Sequence, residues 1–174
     1  MNVEQLTELA ERFLEETYGL SLDIPIEING RLRRSLGRYC TTIDYEPLRI
    51  EIARYLIEYG TEFAILDTLK HELVHYAMHL LGRPFDDGHP EFEAELRRLG
   101  IHSTNTLAVG KRYIMKCDEC GEVSETGIIS HIKKPQHYRT KCCKSSYTYI
   151  GDAIYDGESR QEVLFDTEAV QLNL

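Results

Sequence analysis

The 174-residue chain is 42% apolar and 28% charged, the balance of a globular protein with enough length to bury a core without disulfides. No apolar run approaches the roughly 20 residues needed to span a bilayer, and MNVEQLTELAERFLEE carries acids where a signal peptide needs basic and then apolar residues, so a cytoplasmic protein with no membrane partner is expected. A net charge of −9 excludes a protein that coats nucleic acid through its overall field.

Val3, Leu6, Leu9, Ala10, Phe13, Leu14 and Thr17 recur at helical spacing and Gly19 ends the pattern, which predicts an amphipathic helix. DIPIEINGRL alternates Ile24, Ile26 and Ile28 and closes on Asn29–Gly30, a strand and a tight turn. RYCTTIDY and LRIEIA read as further strands. Thr61 is placed to cap a helix through EFAILDTLKHELVHYAMHLL, stopped by Gly82 and Pro84. After the loop GRPFDDG, Pro90 opens a short helix, PEFEAELRRL, that Gly100 ends. Beyond IHSTNTLAVG, tyrosines, cysteines and lysines replace leucines, and RYIMKC, YRTKCC and SYTYIG predict a small β-rich unit. The expected organisation is a first domain over 1–105, a β unit over 106–151 and an acidic C-terminal segment over 152–174.

Chemistry concentrates in HELVHYAMHLLGRPFDDGHPEF, residues 71–92, which hold four of the seven histidines. In HELVH, His71 and His75 stand at i and i+4, on one helical face and about 6 Å apart along the axis. Two such imidazoles can converge on one zinc ion at about 2.0–2.1 Å each. Glu72 follows the first histidine, which sets its carboxylate beside the ion rather than on it, in the position of a general base for water. A five-residue pattern also arises by chance. The surrounding Ala64, Ile65, Leu66, Leu69, Leu73, Val74, Ala77 and Met78 favour the metal site, because polar groups on so apolar a helix are costly to bury unless something satisfies them, and a metal does so.

A third ligand is required. The metzincin spacing fails, since Met78 and Leu81 stand where Gly and His are needed. His79 lies about 12 Å along the axis from His71, too far for a shared ion, and is better read as a half-buried hydrogen-bonding residue. His89 is the favoured candidate, with Gly88 permitting a turn that folds it back; Glu91 and Glu95 on the next helix are the runners-up.

HELVH, the later GHPEF with its helix, and a cysteine-bearing β unit together resemble the SprT-like zinc metalloproteases, relatives of the Spartan proteases. The resemblance covers most of the chain. It implies an α+β, zincin-like metalloprotease domain with a C-terminal zinc ribbon, His71, His75 and His89 as zinc ligands, and Glu72 as catalytic base. DNA-dependent members of that family degrade proteins crosslinked to DNA, which implies DNA-associated proteins as a substrate class.

CDECG (117–121) offers two thiolates two residues apart, half of a zinc knuckle. The family's ribbon closes with a second C-x-x-C, whereas this chain has RTKCCKSSY, with Thr140 in place of one ligand and Cys142 next to Cys143. Three outcomes stay open: zinc on Cys117, Cys120, Cys142 and Cys143; Cys117, Cys120 and Cys143 completed by His131 or His137; or a ribbon without metal. Cys40 reads as a buried small hydrophobe. Residues 109–151 carry eight Lys/Arg against four Asp/Glu, a basic island between acidic flanks. With Tyr113, Tyr138, Tyr147 and Tyr149 among the cations, weak, salt-sensitive binding of single-stranded DNA is expected there, or polyanion contact on RLRRSLGR (31–38). The rival to a protease is a non-catalytic, metal-containing module that binds DNA or protein.

Overall fold

The computed structural model describes residues 1–103 and 107–165, and among them the chain forms two compact units: Met1–Val109 with Asp156–Glu158, and Gly110–Tyr155 with the chain from Ser159. The expected boundary at 105/106 and residues 166–174 of the expected acidic segment lie outside the described residues. The architecture is mixed α and β with two small sheets. No helix among the described residues is long and apolar enough to cross a membrane.

Helix α1 (Val3–Tyr18) begins in a capping box: the Asn2 side chain accepts the Gln5 amide while the Gln5 side chain accepts the Asn2 amide. Its Leu6, Ala10 and Leu14, one turn apart, are fully buried. Strands β1 (Ile26–Asn29), β2 (Gly37–Thr41) and β3 (Pro47–Ala53) form a sheet in the order β1-β3-β2, with β1 parallel and β2 antiparallel to β3. The Asn29–Gly30 turn is therefore not a hairpin between neighbours; Asn29 Oδ1 accepts the Arg31 amide at 2.7 Å. Ile50 and Ile52 of the central strand are fully buried. A short helix that periodicity did not reveal, α2 (Arg54–Tyr59), follows β3 without a loop and buries Leu56.

Helix α3 (Glu62–Leu80) starts where Thr61 Oγ1 accepts the Ala64 amide at 3.2 Å. It packs on α1 and the sheet through Ala64, Ile65, Leu69, Leu73 and Ala77. Its opposite side presents Val74 and Met78 to Phe92 and Leu96 of α4 (Pro90–Leu99). Apolar residues thus surround α3 on two sides, and its polar residues need partners inside the protein.

In the second unit the sheet order is β5-β4-β6-β7, from β4 (Val109–Cys117), β5 (Val123–Thr126), β6 (Tyr147–Asp156) and β7 (Arg160–Leu164). A helical turn, α5 (Ile129–Lys133), and a 3-10 turn (Pro135–His137) precede β6. YRTKCC is not a strand. Thr140 and Ser145 pair through their backbones at 2.9 Å and close a turn that carries both cysteines. The stretch expected as an acidic segment opens as the end of β6 and the edge strand β7.

Candidate metal centres

His71, Glu72 and His75 are all under 9% exposed, so their hydrogen bonds decide what they can do. His71 Nδ1 lies 2.9 Å from the carbonyl of His102, and His75 Nδ1 lies 2.5 Å from that of Phe85. A carbonyl only accepts, so both Nδ1 atoms carry the proton, and in a neutral imidazole the other nitrogen then presents a lone pair. Those two Nε2 atoms are 3.2 Å apart. Asp87 Oδ1, from the loop after α3, is 3.2 Å from the first and 3.4 Å from the second. Two lone pairs and a carboxylate oxygen held this close repel one another unless a proton or a metal ion lies among them. The donors fit a zinc ion, which takes imidazole nitrogen and carboxylate oxygen readily.

Phe92 from α4 stacks on His75 at 4.2 Å between ring centroids and meets His71 edge-on at 5.5 Å, which fixes both planes. Burial pulls the His71 pKa down, but Asp87, whose carboxylate accepts from Nε2 when the ring is protonated, together with Glu72 and the His102 carbonyl outweighs it, and the net shift is upward. The Glu72 carboxylate reaches β2, where its Oε2 accepts the Tyr39 amide at 2.7 Å. Burial pushes its pKa up against the opposing influence of His75 and His71. Gly37 makes this approach feasible: a Cβ there would lie 2.7 Å from Glu72 Oε1 and 2.9 Å from Thr68 Cγ2.

The structure brings Asp87, and not His89, to the two histidines. Gly88 turns the chain with φ +77°, and His89 is then used as the N-cap of α4, where its exposed ring accepts the Glu91 amide through Nδ1 at 3.3 Å and Pro90 follows in the first turn. Glu91 is bound to Arg83, and Glu95 accepts from Tyr18 Oη and Arg98, so neither runner-up joins the group. His79 Nδ1 lies 2.7 Å from Tyr39 Oη and its ring stacks on Phe85, as a hydrogen-bonding residue should. Asp87 is a member of the converging donor group that the sequence reading did not weigh. The only signal was an acid before Gly88 in DDG, and acids in loops are too common to stand out.

In the second unit the thiols of Cys117, Cys120, Cys142 and Cys143 lie within 4.8 Å of one another. Neither His131 nor His137 is among the converging donors; His131 packs on Tyr138 at 4.2 Å. The adjacent cysteines face the same point because the turn between Thr140 and Ser145 is tight, with Lys144 at φ 57°. Backbone amides of Cys120 and Glu119 and the Thr140 hydroxyl stabilise the Cys117 thiolate, whose pKa falls to about 6. The Cys143 thiol, hydrogen-bonded to Cys120 and crowded by Cys142, is pushed up to about 12. Such a spread marks sulfurs that cannot all ionise together without a cation. Cys40 on β2 is half-buried rather than buried.

The basic side chains Arg112, Lys116, Lys133, Lys134, Arg139, Lys141 and Lys144 are exposed. The tyrosines among them are half-buried and engaged: Tyr113 packs on Tyr149, Tyr138 bonds Ser130, Tyr147 donates to the His131 carbonyl and Tyr149 to Asp152.

The chain is mixed α and β, with two imidazoles on a buried helix and a loop carboxylate in one donor group and four thiols in another, each of which could hold a metal ion. The sequence pattern of the SprT-like family matches residues 3–112. A protein named "Protein SprT-like" from Bacillus velezensis is 29% identical over 160 residues, 86% of this chain and 99% of that protein. Its namesake from Staphylococcus carnosus is 30% identical over 125 residues, covering 68% and 78% respectively. A third, from Bacillus subtilis, is 29% identical over 160 residues. The chain belongs to the SprT-like family.

Proposed function

We propose that the protein is a zinc-dependent metalloprotease with a zincin-like catalytic unit, in which His71, His75 and Asp87 hold the ion and Glu72 is the general base. The observation that carries this reading is the convergence of two imidazole lone pairs and a carboxylate oxygen, at 3.2–3.4 Å, on one point of a buried helix. When bound, zinc would supply Lewis-acid polarisation of the scissile carbonyl and lower the pKa of water. Glu72 accepts a proton from the attacking water and passes it to the departing amine nitrogen. The Tyr39 amide keeps one carboxylate oxygen in place for both transfers. Phe92, packed on both histidines, shields one side of the centre from water, which strengthens electrostatic interactions there. Three protein ligands leave a coordination position open, as a catalytic site requires, whereas four thiols close theirs, as a structural site requires. Unit two is accordingly assigned a structural zinc.

The test is metal analysis combined with hydrolysis of an unfolded protein such as casein. The wild type is expected to carry zinc at the histidine centre and to cleave; His71→Ala and His75→Ala are expected to lose both. Cleavage that survives in either variant would overturn the reading.

A further inference from the structure

Asp67 lies one turn before His71 on α3 and is 7% exposed. Its Oδ1 accepts two hydrogen bonds from His102, the backbone amide at 3.2 Å and Nδ1 at 3.1 Å. The carbonyl of the same residue accepts the Nδ1 proton of His71 at 2.9 Å. Two side chains at i and i+4 therefore grip one residue of a loop from both sides. Asp67 holds its donors, and His71 is held by its acceptor. The ring of Phe63 meets His102 edge-on at 5.6 Å and limits its rotation. Glu93 Oε1 then ties the next residue, Ser103, to the amide of Gly88, the residue after Asp87.

We infer that Asp67 is a positioning residue for the histidine centre: by orienting the His102 peptide it fixes His71 in the Nδ1–H tautomer, with the Nε2 lone pair aimed at Asp87 and His75. Partners that orient a ligating histidine are worth about 10–100-fold in metal affinity. The inference rests on the metalloprotease reading only in that the histidines hold a metal.

Cobalt(II) titration of the full chain tests it, because thiolate ligation adds a near-ultraviolet charge-transfer band that separates the cysteine centre from the histidine centre. Asp67→Ala is expected to weaken the histidine centre about 10–100-fold and leave the thiolate band unchanged. Asp67→Asn keeps an acceptor oxygen and His102→Ala keeps the backbone amide, so each is expected within about threefold of wild type, the scale of one modest hydrogen bond. Imidazole nitrogen shifts of the metal-free chain are expected to report the Nδ1–H tautomer at His71 in wild type and a mixture in Asp67→Ala. Wild-type affinity and tautomer in Asp67→Ala would overturn the inference. Should that variant not fold, a tenfold loss in Asp67→Asn or His102→Ala would do so, since both keep the proposed contact. If His71→Ala binds cobalt like wild type, the metal reading itself has failed, and that outcome is distinct from the others.

Discussion

In the first unit the histidine donors stand on a nineteen-residue helix of which thirteen residues are buried, and both continuous apolar cores among the described residues lie there. In the second, four thiols stand at the end of β4 and on two turns, and the buried described residues are only Gly110, Ile114, Met115, Cys117, Gly151 and Ala153. Packing therefore builds the histidine centre before any ion arrives, with Nδ1 atoms committed to carbonyls and rings held by Phe92. The cysteine cluster has the reverse order of cause under the proposed structural zinc, because so few apolar contacts would leave that metal to hold the turns. A site preorganised by a core can keep a ligand position free for chemistry, whereas a site that replaces a core uses every ligand for cohesion.

The largest expected effect follows from that difference. Zinc removal by chelator, or Cys117→Ser, is expected to abolish amide-exchange protection across β4 to β7 while α1 and α3 stay protected. Structural zinc contributes about 10 kcal/mol or more in small zinc-held peptides, far above what this unit's packing can replace. Equal loss of protection in both units would break the comparison, as would an unaffected second unit.

Glu72→Gln tests the other side, where geometry should survive and chemistry should not. The amide is isosteric and still able to accept the Tyr39 amide, so zinc content is expected to remain while hydrolysis falls by about 10²–10⁴, the usual worth of a general base. Loss of zinc in this variant would mean that Glu72 is a ligand.

Next comes Gly37→Ala. The added methyl would stand within 3 Å of Glu72 Oε1 and Cγ and of Thr68 Cγ2, so either β2 or the carboxylate must shift. A displacement near 1 Å at the reacting groups costs about 10²-fold in rate, and overpacking costs about 1–3 kcal/mol of stability. Unchanged cleavage would show that the Glu72 position is not set by β2.

Much of this was legible beforehand where one physical rule dominated. The stripe on α1, the Thr61 cap and the HELVH face follow from helical periodicity, and the structure has all three. The rest depended on contacts between distant residues. Helix α2 is six residues long, too short for periodicity to register. Asn29–Gly30 has hairpin composition, yet β1 pairs in parallel with β3 and not with the strand that follows it. That Asp87 approaches the histidines while His89 caps α4 depends on how the chain enters that helix, and nothing local to DDGHPEF decides it. The thiol turn was misread as a strand because alternation in YRTKCC mimics one, while the Thr140–Ser145 pairing that closes it is visible only in three dimensions.

Asp87 and His89 can be separated directly. Asp87→Ala removes the carboxylate that faces both Nε2 atoms and is expected to lower zinc affinity at least about tenfold. His89→Ala removes a helix cap and is expected to cost about 1 kcal/mol of stability with zinc affinity unchanged. The opposite pattern would return the third position to His89.

The smallest effect belongs to the basic island. We propose that it binds single-stranded DNA by charge rather than by stacking. The exposed Lys133 and Lys134 follow one another at the end of α5, and phosphate contacts need only such reach. The tyrosines are less free than their spacing suggested, since Tyr113 and Tyr149 pack edge to face and the hydroxyls of Tyr138, Tyr147 and Tyr149 are bonded within the unit. Stacking on aromatic faces is worth about 1–3 kcal/mol per base, so its absence leaves an affinity in the non-specific range, roughly 10⁻⁴–10⁻⁶ M at physiological salt. Affinity is then expected to fall linearly on a plot of log K against log salt, by about 0.7 in slope for each phosphate contacted. Lys133→Gln with Lys134→Gln should make that slope shallower by up to about 1.4, while Tyr138→Leu leaves it unchanged. A tyrosine variant that weakens binding more than the lysine pair would reverse the assignment, and an unchanged slope in the lysine pair would move any polyanion contact to the arginines at 31–38.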